Sequence, residues 1–163
     1  MSLYFATVAW QRQQDTFTDN RYHRKHQWHF DGGVQVPASS SPNVVRVPFS
    51  DPAAVDPEEA YVAALSSCHM LWFLSIAAEE GYRVDSYTDA AQGLLAKNQT
   101  GQEVMTRVTL KPAIGFSGDK LPSDAVLAHL HHRAHQSCYL ANSVKTEIEV
   151  EGSWYVTASG TQS

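Results

Sequence analysis

One stretch constrains this chain more than any other. Asp56-Pro57-Glu58-Glu59 opens a segment that stays apolar almost without interruption to Ala78 and closes at Gly81. An aspartate N-cap accepts from backbone N–H groups that the first helical turn leaves free, and proline at the first helical position has no N–H to leave unpaired. Glutamates in the first turn meet the positive end of the helix dipole. Gly81 supplies the left-handed stop. The spacing therefore predicts a helix over residues 56–80. Its interior is apolar nearly all round, so it is expected to be buried on several sides, as the core helix.

The remaining elements have to be arranged about that helix. Residues 1–50 read as a β meander: a strand over 3–10 with Tyr4, Ala6, Val8 and Trp10 on one side, an extended segment over 27–36 interrupted at Gly32 and Gly33, and a short strand over 44–47. Residues 88–116 read as a β hairpin turning at Asn98-Gln99-Thr100-Gly101. A second helix is expected over 123–138 and a final strand over 145–157, where Thr146, Ile148 and Val150 alternate with Lys145, Glu147, Glu149 and Glu151. The order strands, helix, hairpin, helix, strand, with no internal repeat, gives one α+β domain over residues 1–163.

Composition removes whole classes of function. Hydrophobic residues are 43% and charged residues 18% of the chain, neither a disordered nor a membrane composition. With 12 basic and 17 acidic side chains the net charge is −5, so no basic field exists to hold nucleic acid or an anionic membrane. The longest apolar stretch, residues 70–78, falls short of the roughly 20 residues of a membrane span. Residues 1–13 lack a basic segment followed by an apolar one, so a cytoplasmic protein is expected.

The two cysteines carry the chemistry. Cys68 lies in the middle of the core helix with Ala64, Leu65, Leu71 and Trp72 three and four positions away, and Cys138 lies at the end of the second helix. Such thiols either pack as small apolar side chains or set a nucleophile against a resolving partner. In a reducing compartment a bond between them would be transient and redox-linked. An apolar pocket opposes the thiolate, so a reactive cysteine here needs a cation from elsewhere in the fold. A second pattern competes: His131, His135 and Cys138 recur at four and three residues on one helical face and could bind zinc.

Asp56-Pro57-Glu58-Glu59, then Ala63-Ala64-Leu65-Ser66-Ser67-Cys68, then a distant second cysteine closing a later helix, resembles the OsmC/Ohr family of thiol-dependent peroxidases over nearly the whole chain. The resemblance implies an OsmC-like α+β fold, antiparallel β-sheets with two central helices, and an intertwined homodimer with active sites at the subunit interface. It implies reduction of organic hydroperoxides, with Cys68 passing through a sulfenic acid, Cys138 resolving it as a disulfide, and an external dithiol restoring both. No cofactor and no metal are implied. The family's arginine and glutamate carry over to Arg24, with Arg21 as the alternative, and to Glu58. Ten helical residues rise about 15 Å, so Glu58 cannot touch Cys68 along one straight helix, and its role would be to hold the arginine. His69 after the first cysteine and Tyr139 after the second depart from better-known members and point to an OsmC-like branch rather than a typical Ohr enzyme. The alternatives are a zinc-binding protein using His131, His135 and Cys138, or a non-catalytic module holding a small apolar ligand on the same fold.

Overall fold

The capped segment forms a 23-residue helix, α1, over Pro57–Glu79. Its start is a reciprocal capping box: the Glu59 amide donates to Asp56 Oδ1 at 2.8 Å and the Asp56 amide donates to Glu59 Oε2 at 3.3 Å. The computed structural model describes residues 1–158 and divides the chain into two compact units, residues 1–60 and residues from Tyr61 onward.

In the first unit, β1 (Ala6–Ala9), β2 (His26–Phe30) and β3 (Gln35–Ala38) form an antiparallel sheet in that order. The segment expected over 27–36 is thus a hairpin, turning where Gly33 takes φ 85° and donates to Phe30 O. Residues 44–47 form no strand. The amides of Val44 and Val45 both donate to Ser41 O, and Pro48 has no N–H, which leaves little for a ladder.

The second unit holds α1 from Tyr61, then β4 (Arg83–Asp89), β5 (Gln92–Lys97), β6 (Glu103–Leu110), β7 (Pro112–Ser117), α2 (Asp124–Ser137), β8 (Glu147–Val150) and β9 (Ser153–Val156). These strands make two sheets, β4-β7-β9 and β5-β6-β8. The hairpin at residues 98–101 joins β5 to β6, with Asn98 Oδ1 accepting from the Thr100 and Gln102 amides at 3.0 Å and Gly101 at φ 81°. The pairings β6 with β8 and β7 with β9 are parallel, so both sheets are mixed rather than antiparallel throughout.

Three segments that read as single strands are each two, because the chain passes from one sheet to the other inside each. At one junction the Lys111 amide donates to Asp89 Oδ1 at 2.6 Å and Pro112 has no amide to give, which ends one ladder and starts the next. At another, Glu151 donates to Leu110 O at 2.8 Å just before Gly152.

Helix α1 buries one stripe, Leu65, His69, Phe73, Ile76 and Ala77. Phe73, Ile76 and Ala77 pack with Ile114 and Phe116 of β7 and with Leu127, Leu130 and Ala134 of α2, while Leu65 joins Val108 and Leu110 of β6. The opposite side is open in the single chain: Ala63, Ala64, Ser67, Ser75 and Ala78 are exposed and Leu71 is 60% exposed. Burial on several sides is therefore corrected to burial on one. By length and composition α1 is also long and apolar enough to cross a membrane, which the nine residues 70–78 did not suggest. Its buried stripe is committed to α2 and the sheets.

Candidate active site

Helix α2 fixes one sulfur. Ser123 caps its start by accepting from the Val126 amide at 3.3 Å, and the Cys138 amide ends it by donating to Ala134 O at 2.9 Å. The Asn142 side chain donates to Cys138 O at 2.9 Å, so the turn beyond the helix holds the cysteine backbone in place. From that position Cys138 Sγ stands 2.7 Å from Cys68 Sγ. Both cysteines are free thiols. Closure to a disulfide, at about 2 Å, needs a displacement of less than about 1 Å.

The two thiols are not equivalent. Cys138 is 1% exposed, whereas Cys68 is only half-buried. Burial, with the Cys68 sulfur alongside, pushes the Cys138 thiol up to about 11, against a smaller opposing pull from the Ala141 amide, which donates to its sulfur at 3.4 Å. Cys138 therefore keeps its proton at neutral pH and donates it toward Cys68. Cys68 is the sulfur that a solute can reach. Trp72 and Tyr139 meet edge to face at 5.6 Å, which ties α1 to the residue after Cys138.

Beside the thiols the same two helices bury a histidine pair. His69 Nε2 and His131 Nδ1 are 3.0 Å apart, with the rings near parallel at 18° and their centroids 5.3 Å apart. Burial pushes both down to about 4, so both are neutral at pH 7. The zinc alternative finds no support in the geometry: among the described residues no three His, Cys, Asp or Glu side chains, His131, His135 and Cys138 included, form a metal-holding group.

Arg24 and Glu58 belong to the first unit. The Arg24 guanidinium lies 3.8 Å over the Tyr22 ring, and it donates to Asn20 O at 3.1 Å, to Asn20 Oδ1 at 2.6 Å and to Tyr22 O. It borders a pocket of 400 Å³ with Trp10, Phe17, Tyr22 and His26. Arg21 is exposed, its amide bonded to Asp19 Oδ1. Glu58 sits half-buried in the first turn of α1, where its neighbour Glu59 does the capping. Among the described residues of this unit no ion pair joins Arg24 to Glu58.

Of the residues singled out in the sequence, the fold thus brings Cys68 to Cys138. It also joins His69 to His131, which no motif announced. The one signal was positional: His69 adjoins Cys68, and His131 precedes Cys138 by two helical turns.

An OsmC-like protein family model matches residues 50–153. Among solved structures, an OsmC-like protein of unknown function from Vibrio cholerae O1 biovar eltor is 54% identical, with 94% of this chain and 100% of that chain covered and a TM-score of 0.91. An organic hydroperoxide resistance protein from Elizabethkingia anophelis is 14% identical, with 96% and 98% covered and a TM-score of 0.66. The organic hydroperoxide resistance protein OhrB of Bacillus subtilis is 15% identical, with 94% and 98% covered and a TM-score of 0.61. At such identity these two share the fold alone. No curated protein matches the sequence. With the match running from α1 through β8 and across both cysteines, this chain belongs to the OsmC-like family.

Proposed function

We propose that the protein is a thiol-dependent peroxidase acting on organic hydroperoxides. The observation that carries this reading is the 2.7 Å approach of a reachable Cys68 to a buried, proton-bearing Cys138. The Cys68 thiolate attacks one peroxide oxygen, the O–O bond breaks, the alcohol leaves with a proton, and Cys68 becomes a sulfenic acid. Cys138 then attacks that sulfur, the S–S bond forms, and the sulfenic oxygen departs as water. An external dithiol returns both cysteines to thiols by exchange and is itself oxidised to a disulfide.

The names of the Elizabethkingia and Bacillus proteins support the substrate class. In the same reading Arg24 supplies the positive charge that a thiolate needs and Glu58 orients it. A second copy of the chain would cover the open apolar side of α1 at Ala64, Ser67 and Leu71, which supports a homodimer. A cytoplasmic setting fits cysteines that must cycle through the reduced state.

Thiols counted before and after one equivalent of cumene hydroperoxide test the proposal. Loss of two per chain is expected in the wild type, with a sulfenic acid accumulating in Cys138→Ser and none in Cys68→Ser. A wild type that keeps both thiols refutes it.

A further inference from the structure

We propose that His69 and His131 are positioning residues for the Cys68–Cys138 couple, resting on the redox reading above. Their hydrogen bond clamps the contact between α1 and α2 that brings the sulfurs together.

Each helix contributes one cysteine and one histidine to this contact. His69 directly follows Cys68 in α1, and His131 precedes Cys138 by seven residues, two turns of about 10 Å on one face of α2. His69 is 2% and His131 6% exposed. Around them the interface is hydrocarbon, Phe73, Ile76 and Ala77 against Leu127, Leu130 and Ala134. Apolar packing is non-directional and leaves small slides between helices cheap. A ring-to-ring hydrogen bond of 3.0 Å does not, and disulfide closure tolerates only a narrow geometry.

Stability alone gives no reason to place two imidazoles here. An apolar pair of similar shape would avoid their desolvation, and the hydrogen bond leaves His131 Nε2 buried without a partner among the described residues. The fold nevertheless holds the His131 ring on both sides. The Phe73 ring lies 4.5 Å from it, and Gly152, at the β8–β9 junction, comes so close that a Cβ there would stand 2.3 Å from His131 Nε2. A ring held this firmly can fix the register of α2 against α1.

Equilibration with glutathione tests the assignment. Cys68 and Cys138 lose two hydrogens and form one S–S bond while one oxidised glutathione is cleaved to two reduced molecules. His69→Gln keeps an amide nitrogen near the place of Nε2, and His69→Leu keeps bulk without a donor. His131→Asn and His131→Leu repeat the comparison from α2. The Leu variants are expected to lower the equilibrium constant for oxidation at least tenfold, about 30 mV for this two-electron couple, and the amide variants to stay within about threefold of wild type. Leu variants at the wild-type value, or amide variants as impaired as the Leu ones, overturn the proposal. If a Leu variant does not fold, imidazole 15N resonances of the wild type decide: they shift on disulfide formation, and unchanged resonances overturn it. A wild type with two free thiols across the whole titration rejects the dithiol couple itself, a failure visible before any histidine is changed.

Discussion

Acid should loosen this protein from its core outward, through His69 and His131. Both are pushed to about 4 from the ordinary 6.5, for His69 by burial, then by the field of His135 in α2, with Asp89 of β4 opposing. For His131 the causes are burial and then His69. In the unfolded chain both titrate near 6.5, so between pH 6.5 and 4 the unfolded state binds more protons than the native one. The stability tied to their neutral form is complete above pH 6.5 and is lost as pH falls toward 4. A fall from 6.5 to about 4 corresponds to about 3 kcal/mol for one site. The unfolded chain binds a proton on each ring, whereas the native pair, which cannot charge both rings cheaply, binds few, so the losses of the two sites add. Against a typical total of roughly 5–15 kcal/mol, that loss is large. Urea unfolding at constant ionic strength from pH 7.5 to 4.5 measures it, with His69→Leu/His131→Leu as the reference that has no proton to bind. By pH 4.5 each site should have lost about 2–3 kcal/mol, so wild type should lose about 5 kcal/mol more than the double variant over this range. Parallel curves would refute the reasoning. The depressed carboxyls of Asp19, Asp51 and Asp85 are held by hydrogen bonds from the Arg21 amide, Lys25 and Thr157, so their contribution is present above pH 3.8 and lost only in stronger acid, outside the window.

Two further changes probe the frame of the site. Gly152→Ala places a methyl 2.3 Å from His131 Nε2 and should cost about 1–3 kcal/mol, read as a melting temperature lower by about 2–10 °C. An unchanged melting temperature would mean that the β8–β9 junction does not press on the ring. Asp56→Ala removes the acceptor for the Glu59 amide and should cost about 0.5–2 kcal/mol in urea unfolding, whereas Asp56→Ser, which retains a capping oxygen, should recover most of it.

Local chemistry explains what could be read in advance. Capping is decided by a few adjacent residues, so α1 begins at Pro57 and α2 at Asp124 where Asp56 and Ser123 required it. The hairpin turn at residues 98–101 is equally local, set by the Asn98 side chain and the conformational freedom of Gly101. Strand counting failed for the opposite reason. A β period is the same on either side of a sheet-to-sheet crossing, so the alternation along residues 104–116 and 145–157 does not show that ladder partners change at Pro112 and Gly152, where only a residue poor at strand pairing marks the place. Periodicity likewise put His131, His135 and Cys138 on one face without showing that His69 and Cys68, from 62 and 70 residues away, meet two of them.

By itself the sequence determined the α+β class and the two helices with their ends, because caps, turns and apolar spacing act over a few residues. Tertiary structure alone decided that the Cys68 and Cys138 sulfurs lie 2.7 Å apart, that one is sealed and the other reachable, and that two histidines are locked beneath them. Those facts depend on how α1 crosses α2, and a crossing is set by the summed packing of distant side chains that no local window contains.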